Sequence, residues 1–116
     1  MCVLKDIRAL CRAGAAAHAA GDALNADCLL QQAFGMARDL KSPVLEAKIL
    51  NTLGVFALAG GRARAAVPLL AQARDKVKAR IGDSNKLYAV IENNLRQAEE
   101  AAVSNAKHAR TGQRAA

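Results

Sequence analysis

The 116-residue sequence contains no tryptophan, one tyrosine and two phenylalanines, so aromatic side chains make up only 3% of it. Strand signals are also sparse, because β-branched residues are scattered and no stretch alternates between apolar and polar residues over a useful length. The hydrophobic fraction nevertheless reaches 53%, and much of it is alanine, the best helix former. These features argue against a sheet-rich fold and predict a single all-α domain.

Two further absences concern membranes and sulfur chemistry. No apolar stretch reaches the ~18 to 20 uninterrupted residues needed to cross a bilayer, and residues 1–6 lack the basic-then-apolar order of a signal peptide. We therefore expect a cytoplasmic protein without a membrane partner. The three cysteines, Cys2, Cys11 and Cys28, include no CxxC pair, so we expect buried free thiols and no metal site.

Catalytic signatures are missing as well. The sequence has no nucleophile beside a histidine, no phosphate-binding glycine loop and no clustered carboxylates. Glu99 and Glu100 are adjacent on a predicted helix and face different directions, so they do not form an acid/base pair. We predict neither an enzyme nor a cofactor.

The charge is strongly one-sided. Seventeen lysines and arginines against ten acids give a formal charge of +7 and a pI of about 9.8. Such a surface attracts anionic partners, either acidic proteins or nucleic acid, and the charge alone does not choose between them.

The sequence repeats itself at an offset of 40 residues. Gly14 and Gly54 have this separation (54 − 14 = 40), as do Gly21 and Gly61. The same offset relates further leucine and alanine pairs, namely Leu10 and Leu50, Ala17 and Ala57, Ala23 and Ala63, Ala26 and Ala66, Leu30 and Leu70, and Ala33 and Ala73. A repeat of this length indicates stacked structural units.

Apolar residues at three-and-four spacing, separated by glycine, aspartate and Ser-Pro breaks, predict five helices. The first two form a hairpin over residues 3–40 and the next two a hairpin over 43–81. A capping helix over 84–103 follows the break at 82–84, and its stripe of Tyr88, Ile91, Leu95, Ala98 and Ala102 is narrow. The predicted domain is thus 1–103, followed by a basic tail, 104–116, that we expect to be disordered.

The small residues in this register resemble the signature of the tetratricopeptide (TPR) family. They are Gly14, Gly21, Ala26 and Ala33 in the first unit, and Leu53-Gly54, Gly61, Ala66 and Ala73 in the second. Residues 66–73, AVPLLAQA, and Asn93-Asn94-Leu95 look like the long-helix variety found in kinesin light chain. The period departs from the usual 34 residues, and alanines replace the family's bulky rings at Ala17, Ala57 and Ala63. An unrelated alanine-rich bundle and a HEAT-like pair are the competing interpretations.

The resemblance implies antiparallel hairpins stacked as a right-handed superhelix, with the first helix of each hairpin lining a concave groove. In the family register the groove positions are Arg8, Cys11, Ala15, His18, Lys48, Asn51, Val55, Leu58, Val90, Asn93 and Gln97. Asn51 and Asn93 would be equivalent, and either hold a peptide backbone or only satisfy nearby backbone groups or water. His18 is more often packed or solvated than a ligand. Arg8 and Lys48 favour an acidic peptide, whereas the family's clamp for a C-terminal carboxylate is not reproduced.

Three functions remain as alternatives. The leading hypothesis is an adaptor or scaffold that binds a peptide or helix in the concave groove. Self-association is the second, because two hairpins and a cap fall short of the ~3 repeats usually needed for a continuous core. The third is nucleic-acid binding through a basic patch on helix four, although rings for base stacking are scarce and a solvated face is the simpler interpretation. That patch comprises Arg62, Arg64, Arg74, Lys76, Lys78 and Arg80.

Overall fold

A computed structural model describes the backbone of residues 2–115 and the side chains of residues 2–107. It contains five α-helices, and residues 2–115 include no strand. The helices are α1 (Val3–Ala19), α2 (Ala23–Asp39), α3 (Pro43–Ala59), α4 (Ala63–Ile81) and α5 (Lys86–Ala115). The predicted all-α class is confirmed, and the outer ends of the predicted hairpins, 3–40 and 43–81, match the observed helix pairs to within a residue.

The first three connections are the same three-residue turn. The middle residue of each is left-handed, at Gly21 (φ 83°), Lys41 (φ 55°) and Gly61 (φ 78°). The residue after it donates its backbone N–H five residues back, as Asp22 does to the Ala17 oxygen at 2.8 Å. Consecutive helices therefore start at 3, 23, 43 and 63, and each 40-residue repeat contains two helix–turn units of similar length.

Side chains cap two of the helix starts. Asp22 accepts a hydrogen bond from the Asn25 backbone N–H at 3.2 Å, and Asn85 accepts one from the Tyr88 N–H at 2.8 Å. Ser42 occupies the predicted cap position of α3, but its hydroxyl makes no capping bond.

The fifth helix is longer than the sequence predicted. It continues past residue 103 to Ala115, so the expected helix end is too early. The side chains of the predicted basic tail from residue 108 onward lie outside the described residues.

The helices form a slab of two layers. The molecule measures 57 × 34 × 19 Å, and the smallest dimension equals about two helix diameters. Each helix packs on the next, and α3 also contacts α5. Since the stacked rings of His18 and Phe56 also place α1 beside α3, the helices α1, α3 and α5 form one layer, and α2 and α4 form the other. The predicted antiparallel hairpins are confirmed, and no helix among the described residues has the length and apolar character that crossing a bilayer requires.

The core follows the 40-residue register. Leu30 and Leu70 are fully buried, as are Ala33 and Ala73. Gly14 and Gly54 are buried where their helices approach these leucines. The narrow stripe of α5 completes the core through Ile91, Leu95 and Ala98, all buried.

The prediction of three buried thiols is wrong. Cys2 and Cys28 are exposed, and Cys11 is half-buried. In α2 the buried positions are Ala26, Leu30, Ala33 and Ala37, and residue 28 lies two positions from the first of them, on the opposite side of a 3.6-residue turn.

Candidate functional site: a basic groove between α1 and α3

A concave site lies between the N-terminal halves of α1 and α3. It is an open groove of about 820 Å³, within the size range of ligand sites. Its walls are formed by Leu4, Lys5, Ile7, Arg8, Cys11 and Arg12 of α1, and by Ser42, Val44, Leu45, Lys48, Ile49 and Thr52 at and after the start of α3.

The floor of the groove is apolar and its rim is cationic. Ile7 and Ile49 are buried, and Cys11, Val44 and Leu45 are half-buried beside them. Four exposed cations surround this floor, namely Lys5, Arg8, Arg12 and Lys48. No acidic residue lines the groove, and none of the four cations has an ion-pair partner among residues 2–107. The groove therefore holds uncompensated positive charge over an apolar surface.

An aromatic stack joins the two walls at one end of the groove. The ring of His18, near the end of α1, stacks on Phe56 of α3 with centroids 3.9 Å apart and planes within 3°. Among residues 2–107, no side-chain hydrogen bond or ion pair links α1 to α3. The stack fixes the helices at their C-terminal ends, and the groove occupies the other end.

The predicted groove residues divide into separate groups. Arg8, Cys11 and Lys48 line the groove described above. His18 lies at a second, much smaller cavity of about 50 Å³ beside Phe56. The remaining predicted positions line neither cavity: Ala15, Val90, Asn93 and Gln97 are exposed, and Asn51, Val55 and Leu58 are half-buried.

Asn51 and Asn93, predicted to occupy equivalent positions, have different partners. Asn94 donates its side-chain N–H to the Asn51 amide oxygen at 3.0 Å, which ties α5 to α3. Asn93 instead accepts a bond from the Arg96 guanidinium at 3.2 Å within α5. Asn51 thus makes a side-chain contact between helices, which differs from both alternatives stated for it, a peptide backbone or nearby backbone groups and water.

Sequence reasoning missed two of the four rim cations, Lys5 and Arg12. The signal was present, because Lys5, Arg8 and Arg12 are three and four residues apart and so lie along one side of α1. The family register does not include Lys5 and Arg12, because it assigns other positions of α1 to the concave side.

Cys11 lines the same groove, and its thiol is partly buried there. Burial raises the pKa of its thiol, because the apolar surroundings disfavour the thiolate. Cys11 is consequently a less reactive thiol at neutral pH than an exposed cysteine, and it provides a chemical probe of groove occupancy.

The basic patch predicted on α4 is not continuous. Arg74 lies 3.1 Å from Asp75 and 3.6 Å from Glu92, and Lys76 lies 3.5 Å from the buried Glu46. The four remaining cations are exposed near opposite ends of the helix, Arg62 and Arg64 at its start and Lys78 and Arg80 at its end. With a rise of ~1.5 Å per residue, about 20 Å separates the two pairs.

Metal-binding clusters of histidine, cysteine and carboxylate side chains do not occur within residues 2–107. Comparison with protein-family models, curated proteins and solved structures gave no match.

Proposed function

We propose that this protein is a non-catalytic interaction module that binds an acidic segment of a partner protein in the groove between α1 and α3. One observation carries the proposal, namely four exposed cations that have no ion-pair partner among residues 2–107 and that surround an apolar floor with no acid in the lining. Carboxylates of a partner would neutralise this charge, and apolar side chains would cover the floor.

The electrostatics favour an anionic ligand on two grounds. Lys5, Arg8 and Arg12 repel one another along α1 and face Lys48 on α3, so an anion relieves repulsion as well as gaining attraction. The side chains are long and solvated, hence each pair contributes only about 0.2–1 kcal/mol, and specificity requires several together.

The TPR resemblance supports the same function but stays a proposal. Two hairpins in register, with small residues at the helix crossings, agree with such a repeat. The handedness of the stack and a cytoplasmic location likewise remain predictions from the sequence.

Self-association through the end of the stack receives less support. In α3, the residues that pack back on the first hairpin are Ile49, Leu53 and Phe56. The positions 40 residues earlier in α1 are Ala9, Ala13 and Ala16, which are exposed and small. These three alanines offer little apolar area to a second copy.

Nucleic-acid binding through α4 also receives less support. Two of its six cations are paired with acids, and the rest lie in two separate places. A backbone-tracking site needs a continuous positive surface.

The test uses a fluorescent pool of seven-residue peptides built from Asp, Glu and Leu in random order. We expect anisotropy to detect binding that weakens with salt, and that disappears when Gln and Asn replace the acids. The Arg8→Glu/Arg12→Glu variant should bind at least about tenfold more weakly, since two attractive contacts become repulsive.

A matched control has the same change in net charge elsewhere. Lys78→Glu/Arg80→Glu also lowers the charge by four units, at exposed positions near the end of α4. The control should bind as the unmodified protein does. Equal losses in both variants would show attraction to net charge alone, and absence of binding to the pool would refute the proposal.

A further inference from the structure

Arg8 of α1 and Lys48 of α3 lie at nearly the same height along these two parallel helices. The stacked rings of His18 and Phe56 fix how far one helix is shifted against the other. Arg8 precedes His18 by ten residues and Lys48 precedes Phe56 by eight, which at ~1.5 Å per residue is about 15 and 12 Å. A segment with one acid over each cation therefore crosses from α1 to α3.

The same line continues to Val90 on α5. Asn94 of α5 donates its side-chain N–H to Asn51 of α3 at 3.0 Å, so this bond fixes the two helices against each other. About one turn earlier, Val90 precedes Asn94 by four residues and Lys48 precedes Asn51 by three, and both stay on the bonded side of their helices. Their heights differ by about 1.5 Å, so Val90 follows Arg8 and Lys48 in a row across the layer.

Val90 gives this row an accessible apolar end. It is 42% exposed, whereas Ile7 and Ile49 in the groove floor are 1% and 2% exposed, so an apolar ligand side chain gains more contact at Val90. The first acid of α5 does not face the row, since Glu92 lies 3.6 Å from Arg74 of α4. From α1 to α5 the row therefore reads cation, cation, apolar.

We infer that the partner segment lies across α1, α3 and α5, with acidic side chains over Arg8 and Lys48 and an apolar side chain on Val90. This inference rests on the proposed function and extends its site onto α5. The cations alone would accept any acidic segment, whereas contact with Val90 selects a segment that has an apolar residue beside its acids.

A pair of flexible peptides tests the apolar contact. Neighbouring helix axes are about 8–10 Å apart, a distance that about three residues of extended chain span at ~3.3 Å each. The first probe is therefore Leu-Ser-Ser-Glu-Glu-Glu-Glu-Ser-Ser-Leu, with blocked ends and a fluorophore on a Gly-Ser linker. A leucine at each end lets either chain direction bring one of them to α5. The second probe has serine in place of both leucines and the same charge.

The protein variants are Val90→Ser and a matched control, Val103→Ser. Val103 is on the same helix and is 62% exposed, but it lies 103 − 90 = 13 residues further along and on the opposite side. Valine and serine have similar helix propensities, so both variants should fold as the unmodified protein does.

Anisotropy titrations at low salt measure the preference for leucine. In the unmodified protein and in Val103→Ser, the leucine probe should bind about fivefold more tightly than the serine probe, because a partly covered leucine contributes part of its transfer free energy. In Val90→Ser the preference should fall below about twofold, while the affinity for the serine probe stays the same.

Crosslinking locates the apolar contact without a change in the protein. With photo-leucine in place of both leucines, mass spectrometry should find crosslinks on residues 86–94 of α5. Crosslinks confined to α1 and α3, equal affinities of the two probes, or an undiminished preference in Val90→Ser would each overturn the inference. If such binding remained sensitive to Arg8→Glu/Arg12→Glu, the proposed function would stand. Failure of both probes and of the random pool would reject both.

Discussion

Replacing Gly54 by alanine tests the helix crossing on which the second hairpin depends. A Cβ at this position would lie 2.6 Å from Cγ and 2.7 Å from Cδ2 of Leu70. Leu70 is fully buried, so its side chain cannot make room by rotating into solvent. To accommodate the added methyl group, α3 and α4 must move apart or Leu70 must adopt an unfavourable rotamer.

The magnitude follows from two opposing effects. Overpacking a core costs about 1–3 kcal/mol, and so short a contact with a buried side chain belongs in the upper half of that range. Alanine in place of glycine in a helix stabilises by about 1 kcal/mol. We therefore expect Gly54→Ala to lower the free energy of unfolding by about 1–2 kcal/mol.

Two other glycines are matched controls. At Gly14, the equivalent position of the first hairpin, a Cβ would lie 3.1 Å from Leu30 Cγ, so the two effects should cancel to within about 0.5 kcal/mol. At Gly35, inside α2, no atom lies within 4 Å, and alanine should stabilise by about 0.5–1 kcal/mol.

Urea unfolding followed by circular dichroism gives the three free energies. The expected order of stability is Gly35→Ala, then Gly14→Ala, then Gly54→Ala. In Gly54→Ala/Leu70→Ala, the loss should be smaller than the sum of the two single losses, because the smaller side chain removes the clash. A Gly54→Ala protein as stable as the Gly14→Ala protein, or strict additivity in the double variant, would refute the argument from close packing.

Three further substitutions and reactions have definite expected outcomes. Lys41 is left-handed at φ 55°, so Lys41→Gly should raise the free energy of unfolding by up to about 1 kcal/mol in urea titrations, and destabilisation would contradict the assigned strain. Asn85→Ala removes both the capping bond from the Tyr88 N–H and the bond to the Gly82 oxygen, so it should lower the free energy of unfolding by about 1 kcal/mol in the same assay. An unchanged free energy of unfolding would show that the cap does not stabilise the fold. Mass spectrometry after brief alkylation at pH 7 should find Cys2 and Cys28 modified before Cys11. Because burial raises the pKa of Cys11, its alkylation rate should rise at a higher pH than that of a cysteine in a short unstructured peptide, and equal rates would argue against its burial.

The sequence predicted the helices well because their ends have local causes. Gly21, Gly61 and the Gly82 break supply left-handed backbone, and Asp22 and Asn85 supply caps. The buried stripe of each helix follows from three-and-four spacing. The same local rules did not reveal that Lys41 takes the left-handed position between the hairpins, since lysine carries no such preference.

The candidate site was predictable only in part. Arg8 and Lys48 were identified as groove cations, but which neighbours join them depends on how α1 is rotated and how far it stands from α3. Those quantities depend on tertiary packing, such as the stacking of His18 on Phe56, and no short-range pattern specifies them. For the same reason Asn94, and not its neighbour Asn93, faces Asn51.

The repeat register explains why α3 is hydrogen-bonded to α5 on one side but is separated from α1 by a groove on the other. Taking Leu95 of α5 as the counterpart of Leu53, Asn94 corresponds to Thr52, and Asn51 corresponds to Cys11 at the 40-residue offset. Between α1 and α3, Cys11 and Thr52 therefore occupy the positions that Asn51 and Asn94 occupy between α3 and α5. Thiol and hydroxyl side chains are short, and the Thr52 hydroxyl donates to the Lys48 carbonyl oxygen of its own helix at 3.1 Å. The amide–amide hydrogen bond that joins α3 to α5 therefore has no equivalent between α1 and α3 among residues 2–107. Four cations line the groove at this place, and their positive charge is left for a ligand to neutralise.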